Sequence, residues 1–188
     1  MASTGQPLIV GICGSLREDS KTRIAVELAL SAAAERGATT ELVDLREYDL
    51  PPLKSTAEPV PDADRLRSTV ERADAILLGT PNYHGSYSGV LKNALDYCGR
   101  DEFEGKTVGL LEVAGGSYPG PALIHLRQVC RTLNAWTLPT EVGVPRSHAT
   151  VDTDGISDGD VADRVKRLGR ELAANATTPE ACAGATAD

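Results

Sequence analysis

The stretch LIVGICGSLREDSKT, residues 8–22, decides how the rest of the chain is interpreted. Its first part, residues 8–13, is a short apolar run of the kind that forms a strand buried on both faces. The polar part that begins at Gly14 and Ser15 predicts a loop. Ser20 is a favourable N-cap for a helix. The stretch therefore predicts a buried strand, a loop and a helix in direct succession.

The same alternation continues to residue 174. Further strands are predicted at residues 39–45, 75–80, 107–113 and 136–144, and helices at residues 20–37, 62–73, 88–98, 121–134 and 157–174. Pro139 lies inside the last strand, which suits an edge strand or a bulge. Five strands that alternate with helices imply an α/β fold with a parallel sheet covered on both faces. We expect one domain over residues 1–174 and a disordered tail over residues 175–188.

The composition excludes several classes of protein. The formal net charge is −8, which argues against a nucleic-acid partner and against attraction to an anionic membrane surface. We find neither an apolar run long enough to span a membrane nor a signal peptide, so we expect a cytoplasmic protein. The four cysteines form no CxxC pair and no metal-ligand spacing with histidine, so no metal site is predicted.

The loop after the first strand has the composition of a phosphate site. Ser15, Ser20 and Thr22 supply hydroxyl donors, and Arg17 supplies a cation. A helix N-terminus adds free N–H groups and partial positive charge. A Ser-capped helix with a solvated arginine would explain any one of these residues, but it explains the whole cluster less well. Neither a Walker A loop nor a GxGxxG fingerprint is present.

Two more glycine-containing loops follow strands of the same sheet. The loop of residues 80–89 contains Gly85 and Gly89, which let a backbone approach a flat ligand. The loop of residues 114–118 contains two adjacent glycines and is, taken alone, compatible with a simple turn. His84 is compatible with solvent exposure, with a structural hydrogen bond or with catalysis. Because the carboxyl ends of parallel strands share one edge, the three loops together predict one ligand site.

The residues of these loops resemble a known family. Residues 14–22, GSLREDSKT, resemble the GSLR-xx-S-x-N phosphate loop of the NAD(P)H-dependent FMN reductases. Residues 81–97, PNYHGSYSGVLKNALDY, are similar to the same family's P-E-Y-N-G-S-x-P-G-x-L-K-N-A-L-D-W segment. The resemblance covers residues 8–172 and implies a flavodoxin-like three-layer sandwich with strand order 2-1-3-4-5, FMN as cofactor, and NADPH or NADH as co-substrate. It also implies a homodimer or homotetramer with the helix of residues 91–96 in the subunit interface.

The resemblance also implies residue roles by position. Phosphate binding falls to Ser15, Arg17, Ser20 and Thr22, and contact with the flavin ring falls to Pro81, Asn82, Tyr83, His84, Gly85, Gly115, Gly116 and Ser117. Arg146 and His148, after the last strand, could approach the cofactor as well. Ser88 replaces a common Pro of the family pattern, which matters little. Three departures concern the predicted binding residues: Thr22 replaces Asn, Asn82 replaces Glu, and His84 replaces Asn. Thr22 can still donate to a phosphate, whereas the other two bear on substrate preference and flavin affinity.

The implied activity is a ping-pong oxidoreduction in which FMN takes hydride from NAD(P)H and then reduces a small acceptor. Flavin, quinone, azo compounds and metal oxyanions are candidate acceptors. His84 is the candidate catalytic residue, because imidazole can offer a proton or a hydrogen bond near neutral pH. Two alternatives stay open from the sequence: a flavodoxin-type electron carrier and a non-catalytic FMN-binding module. The low aromatic content of 4% disfavours the carrier, which usually flanks its flavin with aromatic residues.

Overall fold

Five apolar runs of the sequence form one parallel sheet in the computed structural model, which describes residues 5–54 and 58–176. The strands are β1 (Leu8–Cys13), β2 (Thr39–Asp44), β3 (Ala75–Pro81), β4 (Thr107–Val113) and β5 (Trp136–Val144). They lie in the order β2-β1-β3-β4-β5, and every neighbouring pair is parallel. This is the flavodoxin-like doubly wound order, so the predicted α/β fold and its strand order are confirmed.

Helices cover both faces of the sheet and complete the three layers. One face packs against α1 (Lys21–Ala34) and α7 (Gly159–Ala174), and the other against α2 (Pro61–Arg72), α3 (Gly89–Tyr97) and α5 (Pro121–Thr132). Every residue of β3 and β4 is buried, as expected for central strands covered on two sides. Across residues 5–54 and 58–176, no helix combines the length and the apolar character needed to cross a membrane.

Most differences between the predicted and observed elements are shifts of a few residues. β3 includes Pro81, which pairs with Val113, and α1 ends at Ala34, three residues before Gly37. Pro139 lies in an edge strand whose register shifts between Val108 and Leu110 of β4, and an edge position and a bulge both tolerate its missing N–H. The predicted tail, apart from Asn175 and Ala176, lies outside the described residues.

Several short elements had no periodic signal in the sequence. They are a 3₁₀ turn (Leu45–Glu47), α4 (Arg100–Phe103), α6 (Ser147–Thr150) and a hairpin of β6 (Val151–Asp152) with β7 (Gly155–Ile156). Each is too short to show a helical or strand period. They lie between the predicted elements and do not change the topology.

The two outer helices α1 and α7 touch through a glycine. A Cβ built on Gly169 would lie 1.9 Å from the carbonyl oxygen of Ala29. Only a residue without a side chain permits this approach of the two helix backbones. Val165, Leu168 and Leu172 bury their side chains on either side of this contact. The contact thus sets the distance between α1, which follows the first loop, and α7.

Substitution of Gly169 should therefore cost more than an ordinary surface change. We expect Gly169→Ala to lower the free energy of unfolding by at least about 2 kcal/mol, because the helices must move apart. Gly159→Ala in the same helix is the matched control, since nothing lies within 4 Å of its Cβ position, and we expect a change within about 0.5 kcal/mol. Urea unfolding of both variants measures the difference. Equal stability of the two variants would contradict the close contact.

Candidate functional site

The loops that follow β1, β3 and β4 meet at the carboxyl edge of the sheet around a cavity of about 250 Å³. Sheets of this order bind ligands at this edge, where the strand order reverses. That point lies between β1 and β3, because the chain goes outward from β1 to β2 and then returns. The cavity is lined by Ser15, Arg17, Asp19, Lys21, Thr22, Pro81, Asn82, Tyr83, Val113, Gly115, Ser147 and His148.

The first loop, residues 14–20, leads directly into α1. The Ser20 hydroxyl accepts a hydrogen bond from the Arg23 N–H at 3.1 Å, which makes Ser20 the N-cap, as predicted. Within the described part of the chain, the N–H groups of Lys21 and Thr22 have no acceptor, as is normal for the first turn of a helix. Lys21 and Thr22 both line the cavity. This end of the cavity therefore offers donors and positive charge.

Gly14 holds the first loop against the second. A Cβ on Gly14 would lie 2.7 Å from the Cβ of Leu91 in α3. The Gly14 N–H donates to the carbonyl of Gly79 at 2.8 Å, and the Ser88 hydroxyl donates to the carbonyl of Gly14 at 2.6 Å. The same Ser88 oxygen caps α3 by accepting from the Leu91 N–H. Gly14, at the start of the first loop, is thus joined by hydrogen bonds to β3 and to Ser88, at the end of the second loop.

An ion pair at the end of β2 supports the first loop from outside. The carboxylate of Asp44 accepts from Nε of Arg46 at 2.9 Å, and Nη1 of Arg46 reaches the carbonyls of Arg17 and Glu18 at 3.5 and 3.4 Å. Burial alone would raise the pKa of Asp44, but the hydrogen bonds from Arg46 outweigh it and hold the pKa below its ordinary value. Arg46 therefore connects a buried carboxylate to the backbone of the first loop.

The second loop turns sharply at its tip. The backbones of Tyr83 and Ser86 exchange two hydrogen bonds, of 2.9 and 3.1 Å. Between them His84 has φ 54° and Gly85 has φ 78°, which is what both central residues of a type I′ turn require. His84 is exposed and is not among the residues that line the cavity. Histidine adopts this left-handed region more readily than most residues, although less readily than glycine.

The side chain of Asn82 is bonded at both ends. Its Oδ1 accepts from the Gly85 N–H at 3.0 Å, and its Nδ2 donates to Oε1 of Glu112. Glu112 is fully buried in β4, and its Oε2 accepts from the Gly120 N–H at 2.8 Å. Asn82 therefore shapes the second loop and contacts a carboxylate that the sequence did not single out.

The third loop, residues 114–120, packs against the segment that follows β5. The N–H of Arg146 donates to Gly116 at 2.8 Å, and the N–H of Ser147 donates to Ala114 at 2.9 Å. Arg146 has φ 46°, a left-handed value that is strained for a long side chain. A Cβ on Gly115 would lie 3.3 Å from the ring of His148. Gly115 therefore leaves room for the imidazole at the cavity wall.

The structure brings most of the predicted site residues to one cavity. Ser15, Arg17, Thr22, Pro81, Asn82, Tyr83 and Gly115 line it. The others lie near it without lining it: Ser20 is buried as the N-cap, and His84, Gly85, Gly116 and Ser117 lie on the outer parts of the loops. Asp19, Lys21, Val113 and Ser147 also line the cavity and were not predicted. Ser147 could have been predicted as a lining residue from its position, because it follows β5, whose carboxyl end lies at the same edge of the sheet.

A wider groove of about 680 Å³ lies elsewhere, between α5 and the start of β5. It contains the exposed side chains of Ile124 and Trp136, together with Arg127 and Arg131. Trp136 begins β5, so this groove reaches the amino end of a strand, opposite the edge where parallel sheets bind ligands. The smaller cavity is therefore the candidate functional site, because it has hydrogen-bond donors, is surrounded by the three predicted loops and lies at the edge where such sheets bind ligands.

The strand order and the donor-rich first loop define a flavodoxin-like protein with a mononucleotide-type site at the carboxyl edge. Comparison with known proteins refines this class. The sequence profile described as NADPH-dependent FMN reductase matches residues 7–149. The FMN-dependent NADPH-azoreductase of Staphylococcus aureus is 34% identical over 151 residues, which cover 77% of this chain and 80% of the azoreductase. The chain belongs to the NADPH-dependent FMN reductase family and is an FMN-dependent oxidoreductase that uses a nicotinamide coenzyme.

Solved structures support the fold. The flavoenzyme NAD(P)H:(acceptor) oxidoreductase FerB of Paracoccus denitrificans superposes with a TM-score of 0.76 at 23% identity, covering 90% of this chain and 96% of FerB. The apo form of the NADH:FMN oxidoreductase EMOB gives a TM-score of 0.75 at 23% identity, covering 93% of each chain. At this identity the likeness establishes the shared fold.

The support of the first loop by Asp44 should depend on pH. Because the folded-state pKa of Asp44 lies below the unfolded value of about 3.9, its contribution is present above about pH 4 and is lost as pH falls through the folded pKa. We expect Asp44→Asn to be less stable by about 1–2 kcal/mol at pH 7. Between pH 5 and pH 2.5 the wild-type protein should lose more stability than the variant, as measured by urea unfolding.

Asp64→Asn is the control for this experiment, since Asp64 is an exposed residue of α2. We expect that variant to follow the wild-type pH profile within about 0.5 kcal/mol. Identical acid profiles of Asp44→Asn and the wild-type protein would contradict the stabilising role of the Asp44–Arg46 pair.

Proposed function

We propose that the cavity holds FMN, with the phosphate at the first loop and the flavin ring between the second and third loops. We further propose that the enzyme transfers reducing equivalents from NADPH or NADH to a small acceptor. The observation that carries this proposal is the single cavity whose one end offers phosphate donors and whose other end is walled by two glycine-containing loops. Residues 1–174 act as one domain in this proposal.

The phosphate end of the cavity has the right donors for a dianion. The hydroxyls of Ser15 and Thr22 line it, and both residues are almost fully buried, at 3% and 2% exposure. Arg17 and Lys21 line it too, and neither forms an ion pair with a carboxylate among residues 5–54 and 58–176. The N-terminus of α1 adds free N–H groups and partial positive charge. Asp19 is the one anion in this lining, and it is exposed.

The other end of the cavity suits a flat ring. Pro81, Asn82 and Tyr83 form one wall, and Gly115 with His148 forms another. The backbone around Gly115 and Gly116 carries no side chain that would block a planar ligand. Gly85 lies just behind the first wall and completes its turn. The proposed ring contacts therefore extend outward from this lining to His84, Gly116 and Ser117.

FMN, when bound, supplies the redox chemistry by accepting hydride from the nicotinamide and then passing two electrons to the acceptor, in a ping-pong cycle. The chain's own residues bind, orient and limit access. The tight turn at Tyr83–Ser86 fixes one wall, and Tyr83, which lines the cavity, is itself exposed to solvent. A site that the oxidised nicotinamide leaves before the acceptor enters is compatible with a ping-pong cycle.

We infer that the acceptor is a small oxidised compound such as a quinone, a flavin, an azo compound or a metal oxyanion. An azo dye deserves early testing, because the relative with 34% identity is named an azoreductase.

We also propose a homodimer or homotetramer in the cytoplasm, with α3 in the subunit interface. Ile124 and Trp136 expose apolar side chains in one groove away from α3, which supports self-association in general and not the α3 interface in particular. The buried free thiols of Cys13, Cys98 and Cys130 suit a reducing compartment.

Visible spectroscopy of the purified protein with FMN tests the proposal. We expect a yellow complex that bleaches with NADPH or NADH and recovers with a quinone or an azo dye. Thr22→Val should weaken FMN binding about tenfold by removing one buried hydroxyl donor, since one hydrogen bond to a charged group contributes about 1.5 kcal/mol or more. Thr69→Val is the control, because Thr69 is also buried but lies on α2, away from the cavity.

Two results would contradict the proposal. Bound FMN that dithionite bleaches and that neither nicotinamide coenzyme bleaches would indicate an electron carrier or a non-catalytic binder. Equal FMN affinity of the wild-type protein and Thr22→Val would show that the phosphate does not bind at the first turn of α1.

The proposed catalytic role of His84 is to offer a proton or hydrogen bond to the acceptor. His84→Asn tests it without disturbing the turn, because asparagine accepts the φ of 54° at this position. We expect turnover with a quinone, which takes up protons, to fall about tenfold or more. Turnover with ferricyanide, which takes up no proton, should be unchanged. Unchanged quinone turnover would remove the catalytic role and leave His84 as a turn residue.

A further inference from the structure

Glu112 is a carboxylate at a place where carboxylates are costly. It belongs to β4, between β3 and β5, and its side chain has no exposed surface. A buried charge is tolerated only where hydrogen bonds compensate for the lost water. Both oxygens of Glu112 have such partners, and both partners belong to loops of the candidate site rather than to the strand's neighbours in the sheet.

The two hydrogen bonds of Glu112 join the walls of the cavity. Oε1 accepts from the side-chain amide of Asn82, which lines the cavity in the second loop. Oε2 accepts at 2.8 Å from the N–H of Gly120, where the third loop ends and α5 begins. Gly120 has φ 146°, a conformation that favours glycine. One carboxylate therefore connects the second loop to the third.

The connection also fixes which way the amide of Asn82 faces. Its Oδ1 accepts from the Gly85 N–H at 3.0 Å, so its Nδ2 is the group available to Glu112. The backbone N–H of Asn82 donates to Val113 at 2.8 Å, next to Glu112 in the sequence. Asn82 thus has defined donor and acceptor ends, and Glu112, as an acceptor on both sides, matches them.

We propose that Glu112 is a positioning residue that sets the spacing of the two loops between which the flavin ring binds. This inference rests on the proposed FMN site. Glu112 acts through Asn82 and Gly120 and is not itself among the residues that line the cavity. Holding two walls at a fixed distance before the ligand arrives strengthens binding, because the loops lose less freedom when the ligand binds.

Both oxygens of Glu112 act as hydrogen-bond acceptors, which an amide at this position cannot reproduce. In Glu112→Gln the new amide must turn its NH₂ toward either Asn82 Nδ2 or the Gly120 N–H, and each choice places donor against donor. Rotating Asn82 only moves the conflict to the Gly85 N–H. In the double variant Asn82→Asp with Glu112→Gln, one Asp oxygen accepts from Gly85 and the other from the glutamine NH₂. The glutamine oxygen then accepts from Gly120, so every partner is satisfied and the net charge is kept.

The test compares FMN dissociation constants by fluorescence quenching, at a temperature where each variant is shown to be folded by its unfolding curve. We expect Glu112→Gln to raise the dissociation constant about tenfold, equivalent to ~1.4 kcal/mol, and the double variant to recover most of that loss. Glu141→Gln is the matched control. Its carboxylate is bonded to Arg127 at 2.8 Å on β5, away from the cavity, and its FMN affinity should equal that of the wild-type protein.

Amide hydrogen exchange of the protein without FMN gives a second readout. The N–H groups of Gly85 and Gly120 should exchange faster in Glu112→Gln and return toward the wild-type rates in the double variant. This measurement separates the two proposals: a wild-type protein that binds no FMN overturns the proposed function, whereas exchange still reports whether Glu112 joins the loops.

Two results would overturn the positioning role. One is a Glu112→Gln protein of lower stability whose folded form binds FMN as tightly as the wild-type protein. In that case Glu112 would stabilise the fold without positioning the loops for the ligand. The other is a double variant no better than Glu112→Gln in affinity and in exchange.

Discussion

The close approach of α1 to the sheet is the constraint on which the rest of the site depends. A Cβ on Gly79 of β3 would lie 2.2 Å from the side chain of Val26 in α1, and one on Gly11 of β1 would lie 2.9 Å from Leu30. Because these positions carry no side chain, the helix lies directly against β1 and β3. Its N-terminus then lies at the carboxyl edge between those strands, where the order of the sheet reverses. The donor-rich end of the cavity follows from this packing.

The loops around the cavity are held mainly by bonds to one another. Ser88 joins the second loop to Gly14 of the first, Arg46 reaches the first loop from the end of β2, and Glu112 joins the second loop to the third. Arg46 contacts exposed carbonyls of the first loop, whereas Ser88 and Glu112 each bond a backbone group of a loop that has no strand or helix partner there. A buried backbone group needs such a partner. The site is therefore preorganised by side chains that mostly do not line the cavity themselves.

Much of the fold could be predicted from the sequence because its signals are local. The apolar runs of β1, β3 and β4 and the N-cap Ser20 depend on neighbouring residues alone. The residues of the first loop and the start of the second were also predicted to converge, since the topology brings carboxyl ends together. Lys21 and Ser147 were missed because cavity lining depends on side-chain direction at loop ends. Glu112 was missed because nothing in LLEV, residues 110–113, distinguishes a buried carboxylate from an exposed one.

The departures from the family pattern become understandable once these bonds are known. Asn82 stands where the family pattern has Glu, and here its amide meets the carboxylate of Glu112. A glutamate at position 82 would place two carboxylates side by side in a buried setting, which is strongly unfavourable. Asparagine at position 82 and glutamate at position 112 are therefore a matched pair, each tolerable because of the other. His84 differs in kind: the turn around it requires only a positive φ, which asparagine also adopts, so the turn by itself does not require an imidazole at this position.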